Sequence, residues 1–168
     1  EHDILLFSSA GKSIRFKESD VRSVGRTAIG VRGIRLADKD KVVSLIVAES
    51  DDPILTATEK GYGKRTQLDE YRAQARGGSG VISIKTSDRN GQVVGAIQVT
   101  DEDEMMLISD KGTLVRARAA DVSIIGRNTQ GVTLINIADD EALVSVAKIA
   151  ETDDDEESAE DVNETSEE

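Results

Sequence analysis

Three glycines, Gly11, Gly61 and Gly112, stand 50 and 51 residues apart, and the residues around them recur at fixed offsets. Each follows an apolar stretch (Ile4 to Phe7, Ile54 to Ala57, Met105 to Ile108) and closes a polar turn, Ala10-Gly11, Lys60-Gly61 or Lys111-Gly112. Four positions beyond each glycine comes an arginine (Arg15, Arg65, Arg116), and fifteen beyond comes another (Arg26, Arg76, Arg127). Nineteen beyond comes Gly-Val (Gly30-Val31, Gly80-Val81, Gly131-Val132), followed by Ile34, Ile84 and Ile135. A period near 50 residues restricts the chain to an array of one supersecondary unit stacked on itself.

Each unit reads as strand, hairpin turn, strand, then a Gly-rich loop and a last apolar stretch after a second polar turn: Val42 to Ala48, Val93 to Val99, Leu143 to Ile149. The stretches are short, rich in Val and Ile and bounded by Gly, Asp and Asn, and no run of ten residues carries a helical stripe. The expected fold is all-β and propeller-like, with four strands per unit and units at about 1–50, 51–101 and 102–150. Three units are too few to close a ring, so they form part of a larger domain or an open arc with exposed edges.

The net charge of −12 argues at first against a polyanionic partner. The average conceals two regions. Residues 151–168 hold 11 acidic and no basic side chains, and are expected to be a disordered acidic tail. Residues 1–150 hold 21 basic against 22 acidic groups, and positive charge declines from the first unit (9 against 7) to the third (5 against 8). The chain begins at Glu1, as expected of a fragment or processed product, and has neither a secretory leader nor an apolar run long enough to cross a bilayer. No membrane is expected as a partner.

Cysteine is absent and His2 is the single histidine, which excludes disulfides and thiolate- or imidazole-rich metal sites. No P-loop, nucleophile elbow or carboxylate–histidine set occurs, and Gly77-Gly78-Ser79-Gly80 opens no helix, so no catalytic residue is assigned. Phe7, Phe16, Tyr62 and Tyr71 are the whole aromatic set and are expected in the core rather than stacked on bases.

The arginines carry the functional information. Strand alternation places Arg15 with Ser13 and Lys17, opposite Ile14 and Phe16, and Arg116 with Arg118, opposite Val115 and Ala117. A basic position repeated once per unit forms a row that can follow a bent duplex, and the guanidinium fork can donate two hydrogen bonds to one phosphate. An acidic residue also recurs nine positions after each glycine (Asp20, Glu70, Asp121), so Arg15, Arg65 and Arg116 divide evenly between phosphate contact and a structural pair. Arg26, Arg76 and Arg127, in Gly-rich loops, lean towards phosphate, and Arg32, Arg35, Lys64 and Lys85 add unit-specific charge.

The series Gly30-Val31-Arg32-Gly33-Ile34-Arg35-Leu36, Ile54-Leu55-Thr56-Ala57-Thr58, Gly61-Tyr62-Gly63-Lys64-Arg65-Thr66 and Gly126-Arg127-Asn128-Thr129-Gln130-Gly131-Val132 resembles the last half of the C-terminal domain of bacterial DNA gyrase A subunits. The resemblance covers residues 1–150. It implies a six-bladed β-pinwheel, a propeller variant with strands exchanged between blades, whose basic rim wraps double-stranded DNA and so supports ATP-dependent negative supercoiling. Implied partners are duplex DNA and the remainder of the A subunit, with the B subunit, in an A2B2 complex; ATP and magnesium act in other domains, no cofactor belongs to this chain, and the setting is the bacterial cytoplasm and nucleoid. The candidate DNA-binding set, from repeat spacing and charge, is Arg15, Arg26, Arg32, Arg35, Lys64, Arg65, Arg76, Arg116, Arg118 and Arg127. Gln74-Ala75-Arg76-Gly77-Gly78-Ser79-Gly80 lacks the basic residues flanking the family's Gln-basic-Arg-Gly-Gly-basic-Gly box and reads as a later-blade loop; neither Tyr62 nor Tyr71 matches the family's catalytic tyrosine. The alternatives are the C-terminal domain of a topoisomerase IV A subunit, and a propeller segment that binds protein.

If the tail competes with DNA for the basic rim, deleting residues 151–168 tightens duplex binding at low salt. Fluorescence anisotropy of the two forms checks this, and equal affinities would refute the competition.

Overall fold

The computed structural model describes residues 2–149; the tail expected at 151–168 lies outside the described residues. Eleven strands and three 3-10 turns make up this part, with no α-helix. The first unit forms β1 (Asp3–Ser8), β2 (Lys12–Lys17) and β3 (Val42–Ala48). The second forms β4 (Ile54–Thr58), β5 (Tyr62–Thr66), β6 (Val81–Ile82) and β7 (Val93–Gln98). The third forms β8 (Glu104–Ser109), β9 (Leu114–Arg118), β10 (Val132–Thr133) and β11 (Leu143–Lys148). The sheets have the orders β3-β1-β2-β6, β10-β5-β4-β7 and β11-β8-β9.

All-β architecture matches the sequence expectation, and so does the exchange of strands that the resemblance implied, each four-stranded sheet being built from two units. The second unit sends β6 to pair with β2, with Lys12 opposite Ile82 and Ser13 opposite Val81. The third sends β10 to β5, with Gly63 opposite Val132 and Tyr62 opposite Thr133. The glycine just before each of these strands has positive φ, 69° at Gly80 and 82° at Gly131, so the chain turns sharply into the neighbouring sheet.

The anchoring glycines hold this exchange together. Gly11, Gly61 and Gly112 close the first hairpin of each unit with φ of 83°, 78° and 84°, a left-handed conformation that side chains with a Cβ resist. The Gly11 carbonyl accepts from the amides of Ser83 (2.8 Å) and Ile84 (3.3 Å), and the Gly61 carbonyl from those of Leu134 (2.8 Å) and Ile135 (3.1 Å). A Cβ on either glycine would run into the carbonyl of Ile84 or Ile135, whereas one on Gly112 would meet nothing.

Packing follows the same logic in two of the three apolar clusters, which lie between units. Leu5 and Phe7 of the first pack with Ile54, Leu68, Tyr71 and Ala96 of the second, and Phe7 meets Tyr71 edge to face at 5.7 Å between ring centroids. Leu55 and Ala57 of the second pack with Met105, Leu107, Val122 and Leu143 of the third. Leu6, alternating with Leu5 and Phe7, turns to the other face with Ile14, Phe16 and Ile34. Tyr62 departs from the expected core position and lies part-buried beneath Arg89, whose guanidinium carbon is 4.7 Å from the ring centroid.

Gly61→Ala combines the left-handed backbone cost, roughly 1–2 kcal/mol, with two weakened hydrogen bonds at about 1 kcal/mol each. Its denaturant midpoint should fall well below that of Gly112→Ala, which carries the backbone cost alone.

Candidate nucleic-acid interface

The arginine four positions beyond each glycine is a forward clasp. In the first unit, Arg15 donates from Nε to Asp3 (2.9 Å) and from its terminal nitrogens to Asp3 and to the carbonyls of Leu68 (2.9 Å) and Tyr71 (3.2 Å) in the next unit. In the second, Arg65 donates to the Val122 carbonyl (2.8 Å), to Ala120 (3.5 Å) and to Asp101. Their main chains form isolated parallel bridges to Ala73 and Ile124. Arg116 has no following unit among the described residues; it is exposed and pairs with Glu104, the positional counterpart of Asp3.

The arginine fifteen positions beyond is a backward clasp. Arg76 donates to the carbonyls of Asp20 (2.9 Å) and Arg32 (2.6 Å), and Arg127 to that of Ile82 (2.6 Å), in each case one unit back. Arg26, at the same offset in the first unit, is exposed and has no partner among the described residues.

These contacts correct several site expectations. The acidic residue nine positions on is not the partner of Arg15, Arg65 or Arg116. The arginine face of β2 and β5 is an interface between units, so Arg15 and Arg65 are engaged there, Arg65 being buried. Lys64, expected to add surface charge, is fully buried; its ammonium donates to the carbonyl of Gly126 (2.7 Å) and the hydroxyl of Thr129 (3.0 Å) and also reaches the Arg127 carbonyl. Arg118 is exposed but paired with Asp121.

Unengaged positive charge gathers in the first unit. Arg26, Arg32 and Arg35 are exposed and form no ion pair among the described residues, and neither do Lys12, Arg22, Lys39, Lys41, Arg72 and Lys85. Arg22 and Arg72 share one offset, eleven positions beyond Gly11 and Gly61, and this repeat in two units was the available sequence sign. The loop between the second and last strands carries six basic and two acidic residues at 21–41, four and one at 71–92, and one and three at 122–142. The surface therefore grades from strongly positive to negative along the array, and its positive end offers solvated guanidinium and ammonium groups to a polyanion. Among the described residues no His/Cys/Asp/Glu group is placed to hold a metal ion, and no helix is long and apolar enough to cross a membrane.

Residues 2–49, 52–100 and 103–150 each match the family described as the DNA gyrase C-terminal domain, beta-propeller. The sequence is 60% identical to the DNA gyrase A subunit of Klebsiella oxytoca over 94% of this chain and 18% of that protein. It is 57% identical to the corresponding protein of Escherichia coli (strain K12) over 93% of the chain and 18% of that protein, so it spans under a fifth of these relatives. A solved gyrase A C-terminal domain superposes with a TM-score of 0.83 at 31% identity, covering 89% of this chain and 51% of that one. A solved topoisomerase IV C-terminal domain gives 0.84 at 25% identity, covering 99% and 52%.

Burial, with Arg127 nearby, pulls the Lys64 pKa from the ordinary 10.5 down to about 8. Between these values the unfolded chain holds a proton that the folded chain has released, so this group makes stability rise with pH across that window. Denaturant midpoints from pH 7.5 to 9.5 should climb, and Lys64→Met should flatten the slope; Tyr71, raised from 10.0 by its own burial, acts in the opposite direction only above this range.

Proposed function

Since this chain belongs to the DNA gyrase C-terminal domain family, we propose that it binds duplex DNA along the outer loops of its units and bends it, through phosphate contacts that do not read sequence. The observation that carries this reading is the unpaired cluster Arg26, Arg32 and Arg35, with Arg22, Lys39 and Lys41, on one exposed loop. Guanidinium groups with no internal partner release counterions when they meet phosphates, and spacing along a curved array favours a bent path.

In this reading the chain acts within a gyrase A2B2 assembly in the bacterial cytoplasm. DNA cleavage, ATP and magnesium are handled by other domains, and the wrapped segment gives strand passage its direction towards negative supercoils. Identity of 57 to 60% to gyrase A subunits, against 25% to the topoisomerase IV domain, supports gyrase over topoisomerase IV. The steep charge gradient supports DNA over a protein ligand, because association with DNA is governed by phosphate neutralisation.

Salt titrations of duplex binding test the assignment. Replacing Arg26, Arg32 and Arg35 together by alanine should lower the slope of log affinity against log salt by about 0.9 for each phosphate that is no longer neutralised. Arg116→Ala with Arg118→Ala, whose charges are already paired, should change it far less. Equal effects from the two sets would refute the loop assignment, and no salt-dependent binding by the parent chain would refute DNA as its partner.

A further inference from the structure

A buried face of the second unit, which has a neighbour on either side, departs from the repeat in its chemistry. On β4 and β5 it carries Thr56, Lys64 and Thr66, where the first unit has Leu6, Ile14 and Phe16 and the third has Leu107, Val115 and Ala117. The first unit's residues form an apolar cluster, and the third unit's pack into the core between units. Thr56, Lys64 and Thr66 are each 0% exposed, so polar groups stand where the repeat elsewhere buries hydrocarbon. Burial of such groups is costly unless every one of them finds a partner.

The Tyr71 hydroxyl joins this cluster, 3.5 Å from that of Ser83. Burial pushes the Tyr71 phenol up, and the hydroxyls of Ser83, Thr66 and Thr56 and the Arg127 guanidinium are close enough to oppose that rise. Arg127 enters from the third unit, its Nη1 donating to the carbonyl of Ile82, next to Ser83. Some of these groups are satisfied: Thr66 donates to the Ile125 carbonyl (2.8 Å), and Lys64 spends its three protons on Gly126, Arg127 and Thr129. Two are not. Thr56 Oγ1 and Arg127 Nε are shut off from solvent and have no partner.

Charge decides what would satisfy them. Lys64 and Arg127 lie close enough to repel one another, and neither forms an ion pair among the described residues. Glu70, whose charge Lys64 does feel, is exposed. An arginine Nε can only donate, the Thr56 and Tyr71 hydroxyls are free to donate, and the loop carbonyls of Gly126 and Arg127 are already taken by Lys64. Water would accept these bonds and leave two positive charges uncompensated in a poorly solvated place, whereas an anion answers both needs. Desolvation costs rise with the square of the charge, which favours a monovalent ion over phosphate or sulfate.

We propose that this cluster is a buried anion site, which takes one small monovalent ion of the chloride class on Arg127 Nε and the hydroxyls of Thr56 and Tyr71. The guanidinium belongs to the third unit and the hydroxyls to the second, so the ion ties the two units together at a junction interior to the array. The site is closed to a duplex, and its occupancy is independent of the DNA reading.

Urea unfolding of the 168-residue chain in mixtures of sodium chloride and sodium gluconate at one ionic strength tests it. Raising chloride from about 10 to about 300 mM should lower the unfolding constant by up to about 30-fold, the limit for an ion bound only by the folded chain. Thr56→Val and Tyr71→Phe keep the shape of the side chain and remove one donor each, and both should lose most of this dependence. Bromide soaked into crystals gives a readout that needs no variant: an anomalous peak should stand at hydrogen-bonding distance from Arg127 Nε and the Tyr71 hydroxyl. No response of the parent to chloride, a response of equal size in the parent and both variants, or crystals with only water at these atoms would each overturn the proposal.

Discussion

No unit of this array can satisfy the second strand of its own sheet. The amides and carbonyls along β2 and β5 need a partner, and the segment that supplies it lies in the following unit. The glycine carbonyl at each hairpin turn and the two arginine clasps add directional bonds at the same junction. Two of the three apolar clusters then fall between units, the third lying inside the first unit. Folding free energy is consequently held largely at interfaces, as in other linear repeat proteins, and each unit depends on its neighbour.

That dependence divides the basic residues into two classes. A guanidinium that bonds to carboxylates and carbonyls across a junction is withdrawn from solvent, as at Arg65, whose fork is directed to Val122, Ala120 and Asp101. One on the outer loop, such as Arg32 or Arg35, has no such obligation and keeps its water-facing charge. Regular spacing along the chain thus marks architecture more strongly than recognition. The unpaired surface charge comes chiefly from residues that vary from unit to unit.

The repeat period, the all-β class and the hairpin glycines were legible because each follows from local chemistry: alternating apolar residues, turn residues and left-handed backbone. The roles of Arg15 and Arg65 were left balanced because strand alternation tells which side chains share a face, not whether that face meets solvent or another unit. Lys64 was misplaced for a related reason. It was read as unit-specific surface charge, but it stands on the face opposite Arg65, where the first unit has buried Ile14, and the loop at 126–129 folds over it and offers carbonyl and hydroxyl oxygens. The partner of Arg65 was hidden too: Pro53 stands where the other units have Asp3 and Glu104, and Asp101 from the inter-unit segment replaces it.

Strand exchange also bears on synthesis. A ribosome delivers β2 when residue 17 emerges, but its partner β6 begins only at Val81. Over the intervening interval the nascent first unit presents a bare edge, with Ser13 and Ile14 not yet covered, and β5 waits in the same way for Val132. Hairpins can close early because they are local, whereas sheet completion lags by a full unit and proceeds in chain order. A pause in translation within residues 67–80 would prolong exposure of this edge, the kind of surface that invites pairing with another chain.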